Sequence, residues 1–266
     1  MGNRVRWAVT AGVLALVCPV TVAAAAETGP AASKPVAIIG GRPAAQLYSG
    51  VVSMGQGGHE CGGTLITARW VVTAKHCALG TDAKYLQVHL GSNDNTKGEV
   101  IVGKGWAKHP DPTVDLALLE LTSAAKTAPM KVATEVGPAG TTTRLLGWGR
   151  TVSNDAHSKP VALREVDTTV LADQPCVEAT SGAGPNDVFH PGTDICTDAP
   201  GGTAGACEGD SGGPQLRQVN GAWALIGVTS RGPNPDKDGG CTSGPSIYVS
   251  VPAVRVWIEQ QVGKLP

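Results

Sequence analysis

Short runs of β-branched and aliphatic residues recur along the chain, separated by Gly, Pro, Asn and Asp: "TLITARWVVTA", "YLQVHLG", "EVIVGKGWA", "DLALLEL", "TTTRLLGWG", "LREVDTTVL", "WALIGVTS" and "PSIYVSV". Runs of this length with turn residues between them predict an all-β protein of barrel or sandwich type. One segment has a helical pattern. From Pro252 onward, Val254, Trp257, Ile258 and Val262 recur at helical spacing with Arg255 and Glu259 on the other side, which predicts a terminal helix covering a barrel. The stretch "TSAAKTAPMKVATEVGPAGT", Thr122 to Thr141, is rich in small residues and carries two prolines between strand-like runs. It reads as the crossing between two halves, and about 229 residues after the leader leave room for two cores.

The first 26 residues have another pattern. Arg4 and Arg6 form a basic start, Ala8 to Val22 is largely apolar, and Ala24 to Ala26 are small residues before Glu27. That arrangement predicts a secretory signal peptide at 1–26, interrupted by Pro19 and too short for a membrane anchor. No second long apolar run follows, so the expectation is a secreted, soluble chain without a membrane association. Removing residues 1 to 37 takes three of 21 basic and one of 22 acidic side chains, leaving a net charge of about −3. That balance gives no basic footprint for nucleic acid. Six cysteines remain after the leader: Cys61, Cys77, Cys176, Cys196, Cys207 and Cys241. An even count in an exported chain predicts three disulfides. The zinc alternative finds no CxxC pair and only scattered histidines, so no metal and no cofactor are expected.

The stretch "TAGACEGDSGGP", Thr203 to Pro214, sets Ser211 among glycines. A serine hydroxyl is a weak nucleophile that needs a base, a group to hold the base, and donors for the oxyanion it creates. "VVTAKHC" places His76 at the end of an apolar run beside a cysteine, and "TVDLALLEL" places Asp115 at the head of an apolar strand. Burial there would make an unpartnered carboxylate costly. Each residue alone has an ordinary structural reading; the ordered set is far more specific.

On these residues the chain resembles the chymotrypsin/trypsin-type serine endopeptidases. "IIGG" at Ile38 to Gly41 resembles their mature start, and "CGGTLITARWVVTAKHC" and "DLALLEL" resemble their histidine and aspartate regions. "GWG" at Gly147 to Gly149 resembles the start of their second barrel, "GDSGGP" their serine region and "VTSRG" at Val228 to Gly232 their substrate-binding strand. The resemblance implies two antiparallel six-stranded β-barrels with a C-terminal helix: a peptidase domain over 38–266, barrel one about 38–128, barrel two about 129–251 and the helix about 252–264. It implies His76 as general base and acid, Asp115 as its orienting partner, Ser211 as nucleophile, and the N–H groups of Gly209 and Ser211 as the oxyanion hole. Disulfides Cys61–Cys77, Cys176–Cys196 and Cys207–Cys241 follow from it, as does a hydrogen bond from Ser230 to the buried aspartate.

The same resemblance implies a propeptide at 27–37, removed by an activating protease so that the new amine of Ile38 pairs with Asp210. It places the primary pocket floor at Gly205 with Ala206 beside it, and the walls near Gly232 and Ser246. With no charge there, the expectation is cleavage of protein or peptide substrates after small to medium apolar residues, by a monomer. Asp236 or Asp238 folding inward would instead bring specificity for Arg or Lys. Arg231 stands where a tryptophan is implied, and with Glu208 it is expected to tune neighbouring subsites by charge. Ser92 replaces an acidic residue of a calcium loop, so no calcium is expected. The rival readings are a catalytically inactive binding homologue, against which all three triad residues are kept, and an α/β-hydrolase esterase, which needs the opposite chain order.

Overall fold

The computed structural model describes residues 1–3, 7–8, 38–185, 187–232 and 240–266. The expected leader cleavage site, the 27–37 propeptide, and Asp236 and Asp238 lie outside the described residues. Strand β1 is the short Arg42–Pro43. Six strands then close the first barrel in the order β2 (Val51–Gly55), β3 (Cys61–Thr67), β4 (Trp70–Thr73), β7 (Ala117–Leu121), β6 (Glu99–Lys108) and β5 (Gln87–Leu90). All the pairs are antiparallel, with β5 returning to β2.

The second barrel is built from β8 (Thr142–Gly147), β9 (Arg164–Val170), β10 (Asp194–Asp198), β11 (Pro214–Val219), β12 (Ala222–Arg231) and β13 (Ser246–Ser250). Their order β9-β10-β13-β12-β11-β8 closes because β8 also pairs with β9. The two six-stranded barrels and the C-terminal helix α2 (Arg255–Val262) match the expected class. One boundary needs correcting: residues from 38 on were expected in barrel one, yet Arg42–Pro43 pairs with β9 and Ile39 bridges Gly205, so the start of this segment belongs to barrel two. A second helix, α1 (Gln174–Ala179), was not anticipated.

The continuous apolar runs have a structural cause. Alternate residues of a barrel strand face opposite sides, and here both sides are covered. Leu119 and Leu121 point into the first barrel with Val52, Leu65 and Val88, whereas Leu116 and Leu118 join a cluster with Leu146, Trp148, Val228 and Ile258. That shared cluster joins both barrels and helix α2. The second barrel has its own core of Leu145, Val166, Ile195, Ile226 and Tyr248. Among the described residues no helix is long and apolar enough to cross a membrane.

Candidate active site

His76 sits in a single 3₁₀ turn, Lys75–Ala78, directly after β4. The neighbouring Cys77 is tied to Cys61 at the start of β3, which pins the turn to the barrel. Asp115 precedes β7 between the buried Val114 and Leu116. Its Oδ1 accepts the His76 backbone N–H at 2.9 Å and its Oδ2 contacts His76 Nδ1 at 2.8 Å. Ser230 Oγ, near the end of β12, donates to the same Oδ2 at 2.7 Å. A carboxylate has no hydrogen to give, so Nδ1 carries the ring proton and Nε2 is left as a base. Burial pushes the Asp115 carboxyl upward, but the bonds from His76 and Ser230 outweigh it and hold the group below the usual carboxylate range.

Ser211 lies in the turn between Cys207 and Pro214. The Gly62 N–H of β3 donates to Ser211 O at 2.8 Å, and Gly212 N–H donates to Thr229 O of β12 at 2.8 Å. The turn is therefore gripped by both barrels. Gly209 has φ of 97°, which a side chain would strain. Its carbonyl is held by His59 Nε2 at 2.8 Å, while His59 Nδ1 meets Ser53 Oγ at 2.8 Å. A carbonyl only accepts, so Nε2 bears the hydrogen and Ser53 donates to Nδ1. Burial lowers His59 to about 4, keeping it neutral in that role. Among the described residues the N–H groups of Gly209 and Ser211 donate to no protein atom, as an oxyanion site requires. No hydrogen bond joins Ser211 Oγ to His76 Nε2 among them either; such contacts commonly tighten only around substrate.

Asp210 is fully buried, its carboxylate accepting from Gly149 N–H at 2.8 Å and Cys207 N–H at 2.9 Å. The "GWG" glycines make room for it: a Cβ at Gly147 or Gly149 would lie 2.1 or 2.3 Å from a carboxylate oxygen. Among the described residues Asp210 has no ion pair, and burial raises its carboxyl to about 7. Ile38 is also buried.

In the expected pocket, Ser246 Oγ accepts from Ala206 N–H at 3.2 Å and lies 3.2 Å from where a Cβ of Gly205 would stand. Gly232 faces the same hydroxyl, and Cys207–Cys241 ties the residue after Ala206 to the segment before Ser246. Cys176–Cys196, also formed, ties α1 to β10. Two expectations change. Glu208 does not stand free but pairs with Arg150, and the Arg231 guanidinium turns inward to pair with the buried Asp194. Beside His76 and Asp115 lies a cavity of 710 Å³ lined by Leu79, Pro110, Pro112, Asp187 and Arg231. The ligand atoms of Cys61, His76 and Cys77 lie within 4.8 Å of one another, but the two sulfurs are spent in the disulfide. Sequence reasoning missed His59, Ser53, Arg150 and Asp194, which carry no local motif.

Two β-barrels with a His–Asp pair at their junction and a glycine-flanked serine turn beside it define a class of peptide hydrolase. The chain belongs to the trypsin family, whose match spans residues 38–258, and it is a serine endopeptidase. It is 32% identical over 214 residues to Trypsin delta of Drosophila erecta, covering 76% of this chain and 78% of that one. It is 33% identical over 220 residues to Trypsin 5G1 of Aedes aegypti, covering 77% and 76%. With a trypsin of Sarcophaga bullata the identity is 32% over 221 residues, covering 78% and 80%.

Proposed function

We propose that this endopeptidase is exported as a zymogen and cleaves peptide bonds after small to medium apolar residues through an acyl-enzyme on Ser211. Ser211 Oγ attacks the scissile carbonyl while His76 Nε2 takes its proton, and the oxyanion collects hydrogen bonds from Gly209 and Ser211 N–H. His76 then gives the proton to the leaving amine. A water, deprotonated by the same nitrogen, attacks the ester carbon and returns Ser211. Asp115 keeps the ring in the productive tautomer and stabilises the imidazolium. The single observation that carries this reading is the aligned Ser230–Asp115–His76 chain beside a serine turn with two N–H groups that donate to no protein atom among the described residues. A sulfonyl fluoride is expected to block activity with one adduct, on Ser211, and Ser211→Ala to abolish turnover. An adduct elsewhere, or full activity in the alanine variant, would refute the assignment.

The apolar preference is supported by the uncharged floor at Gly205 and Ala206 and the uncharged wall at Ser246; a Lys or Arg side chain would be desolvated there without a partner. A peptide series varied only before the scissile bond tests it. A preference for Arg over Ala or Leu of about 100-fold in kcat/KM, about 2.7 kcal/mol, would overturn it. Activation after Ala37 is supported by the buried Asp210, which has no ion pair among the described residues, and by the buried Ile38, whose neighbour Ile39 bridges Gly205 five residues before that aspartate. A new amine at Ile38 would give that carboxylate a directly bonded charged partner. N-terminal analysis of active enzyme is expected to find Ile38 first.

A further inference from the structure

Among the described residues Arg231 makes four hydrogen bonds. Its Nε donates to Asp187 O at 3.2 Å, one terminal nitrogen to Val188 O at 2.7 Å and to Asp194 Oδ2, and the other to Ser230 Oγ at 2.9 Å. The Arg231 side chain is 13% exposed and the Asp194 side chain 1%. Asp194 is fixed further by the His190 N–H at 2.8 Å. A side chain held this way cannot reach into the substrate groove without abandoning a buried carboxylate, which is strongly unfavourable.

The bond to Ser230 has a directional consequence. Guanidinium only donates and carboxylate only accepts. The Arg231 N–H therefore occupies a lone pair on Ser230 Oγ, and the one hydroxyl hydrogen is left to point at Asp115 Oδ2, 2.7 Å away. Donation from a cation also polarises the hydroxyl and strengthens its own donation onward.

We propose that Arg231, anchored on buried Asp194, is a positioning residue for the reaction: it orients the Ser230 hydroxyl onto Asp115 and so fixes the carboxylate that holds the His76 ring. This deepens, and rests on, the acyl-enzyme reading of the site. Other charged or titratable groups around the chain of contacts are Lys75 on the His76 turn, His109 and Asp111 on the segment before Asp115, and Asp187, His190 and Asp194 around Arg231. Lys75 Nζ donates to Asp111 O at 2.6 Å. These groups stay in place in the variants below, so differences between pH profiles isolate Arg231.

Without the Arg231 donor, Asp115 becomes the more basic partner and favours imidazolium more strongly. The acid limb of the kcat/KM profile, which reports the free enzyme's essential base, then moves to higher pH. The substrate is an N-acetylalanine thioester, too short to touch extended subsites. Arg231→Gln is expected to lower kcat/KM about tenfold, mainly through kcat, and to move the limb up by about half a pH unit. Arg231→Lys keeps a cation for Asp194 and the fold with it, but cannot fork to both partners, so the limb moves the same way by less. In a Ser230→Ala background Arg231→Gln is expected to add no further shift. A limb unmoved in both Arg231 variants, or an equal shift with Ser230 already removed, overturns the relay. Ser211→Ala separates the failures: an active alanine variant sinks the acyl-enzyme reading itself, whereas an inactive one beside Arg231 variants that match the parent sinks the relay alone.

Discussion

Ser246 puts one hydroxyl on the wall of the proposed primary pocket, within hydrogen-bond reach of Ala206 N–H and 3.2 Å from the open side of Gly205. Ser246→Gly removes that oxygen without adding charge, so the pocket widens and stays neutral. The expected result is a rise of about tenfold in the ratio of kcat/KM for Phe over Ala before the scissile bond, within the 1–3 kcal/mol a hydrophobic pocket discriminates. An unchanged ratio would mean that Ser246 does not bound the pocket. At this scale the sequence was readable where chemistry demands a residue type: a nucleophile, a base and an acid, each at a recognisable strand end. It was unreadable where function arises only through space. Asp194 matters because it lies under Arg231, 37 positions away, and His59 because it meets a carbonyl 150 positions on. Neither leaves a local pattern.

The strands themselves were legible because both faces of most of them are buried, which writes long apolar runs into the sequence. The elements that escaped are those that bury little. Two exposed residues, Arg42–Pro43, make a strand only because β9 offers an edge, and α1 is six residues long, under two turns, too short for a period. What fixes β1 is a buried carboxylate on β9. Glu165, fully buried, accepts from Arg42 Nε at 2.9 Å, Tyr48 OH at 2.6 Å and the Ala45 N–H at 3.1 Å, and Arg144 lies 3.2 Å away. Burial, followed by the bond to Glu165, raises the Tyr48 hydroxyl to about 12, so it remains a donor. Glu165→Ala leaves these donors without their shared acceptor. The expected cost is about 3–5 kcal/mol in urea unfolding, with β1 and the Ile38 segment released. A loss below about 1 kcal/mol would show that water or Asp167 replaces Glu165 freely.

For the whole molecule, two buried groups beside the serine turn give opposite pH dependences. Asp210 has its carboxyl raised from 3.8 to about 7, chiefly by burial, and His59 is lowered from 6.5 to about 4, also chiefly by burial. Between about pH 4 and 7 the folded chain keeps a proton on Asp210 that the unfolded chain has lost. That contribution is complete at low pH and is lost as pH rises through about 7. His59 works the other way: the unfolded chain binds a proton near pH 6.5 that the folded chain refuses, so its contribution is complete above that pH and is lost as pH falls toward 4. In the uncleaved chain, where Ile38 still follows Ala37, the two slopes largely cancel. Asp210→Asn removes one of them. In uncleaved Ser211→Ala protein, which cannot digest itself, the added Asp210→Asn change is expected to raise stability at pH 7.5 and to steepen the loss between pH 6.5 and 4, by up to about 1.4 kcal/mol per pH unit. Groups common to both proteins, such as Asp94 and Asp115, drop out of the difference between the two curves. After cleavage at Ala37 the proposed amine–carboxylate pair reverses the sign at pH 7.5, and Asp210→Asn then destabilises. Urea midpoints at four pH values, before and after cleavage, measure both effects. The same sign in both forms would mean that Ile38 never reaches Asp210 and that processing does not order the site through that pair.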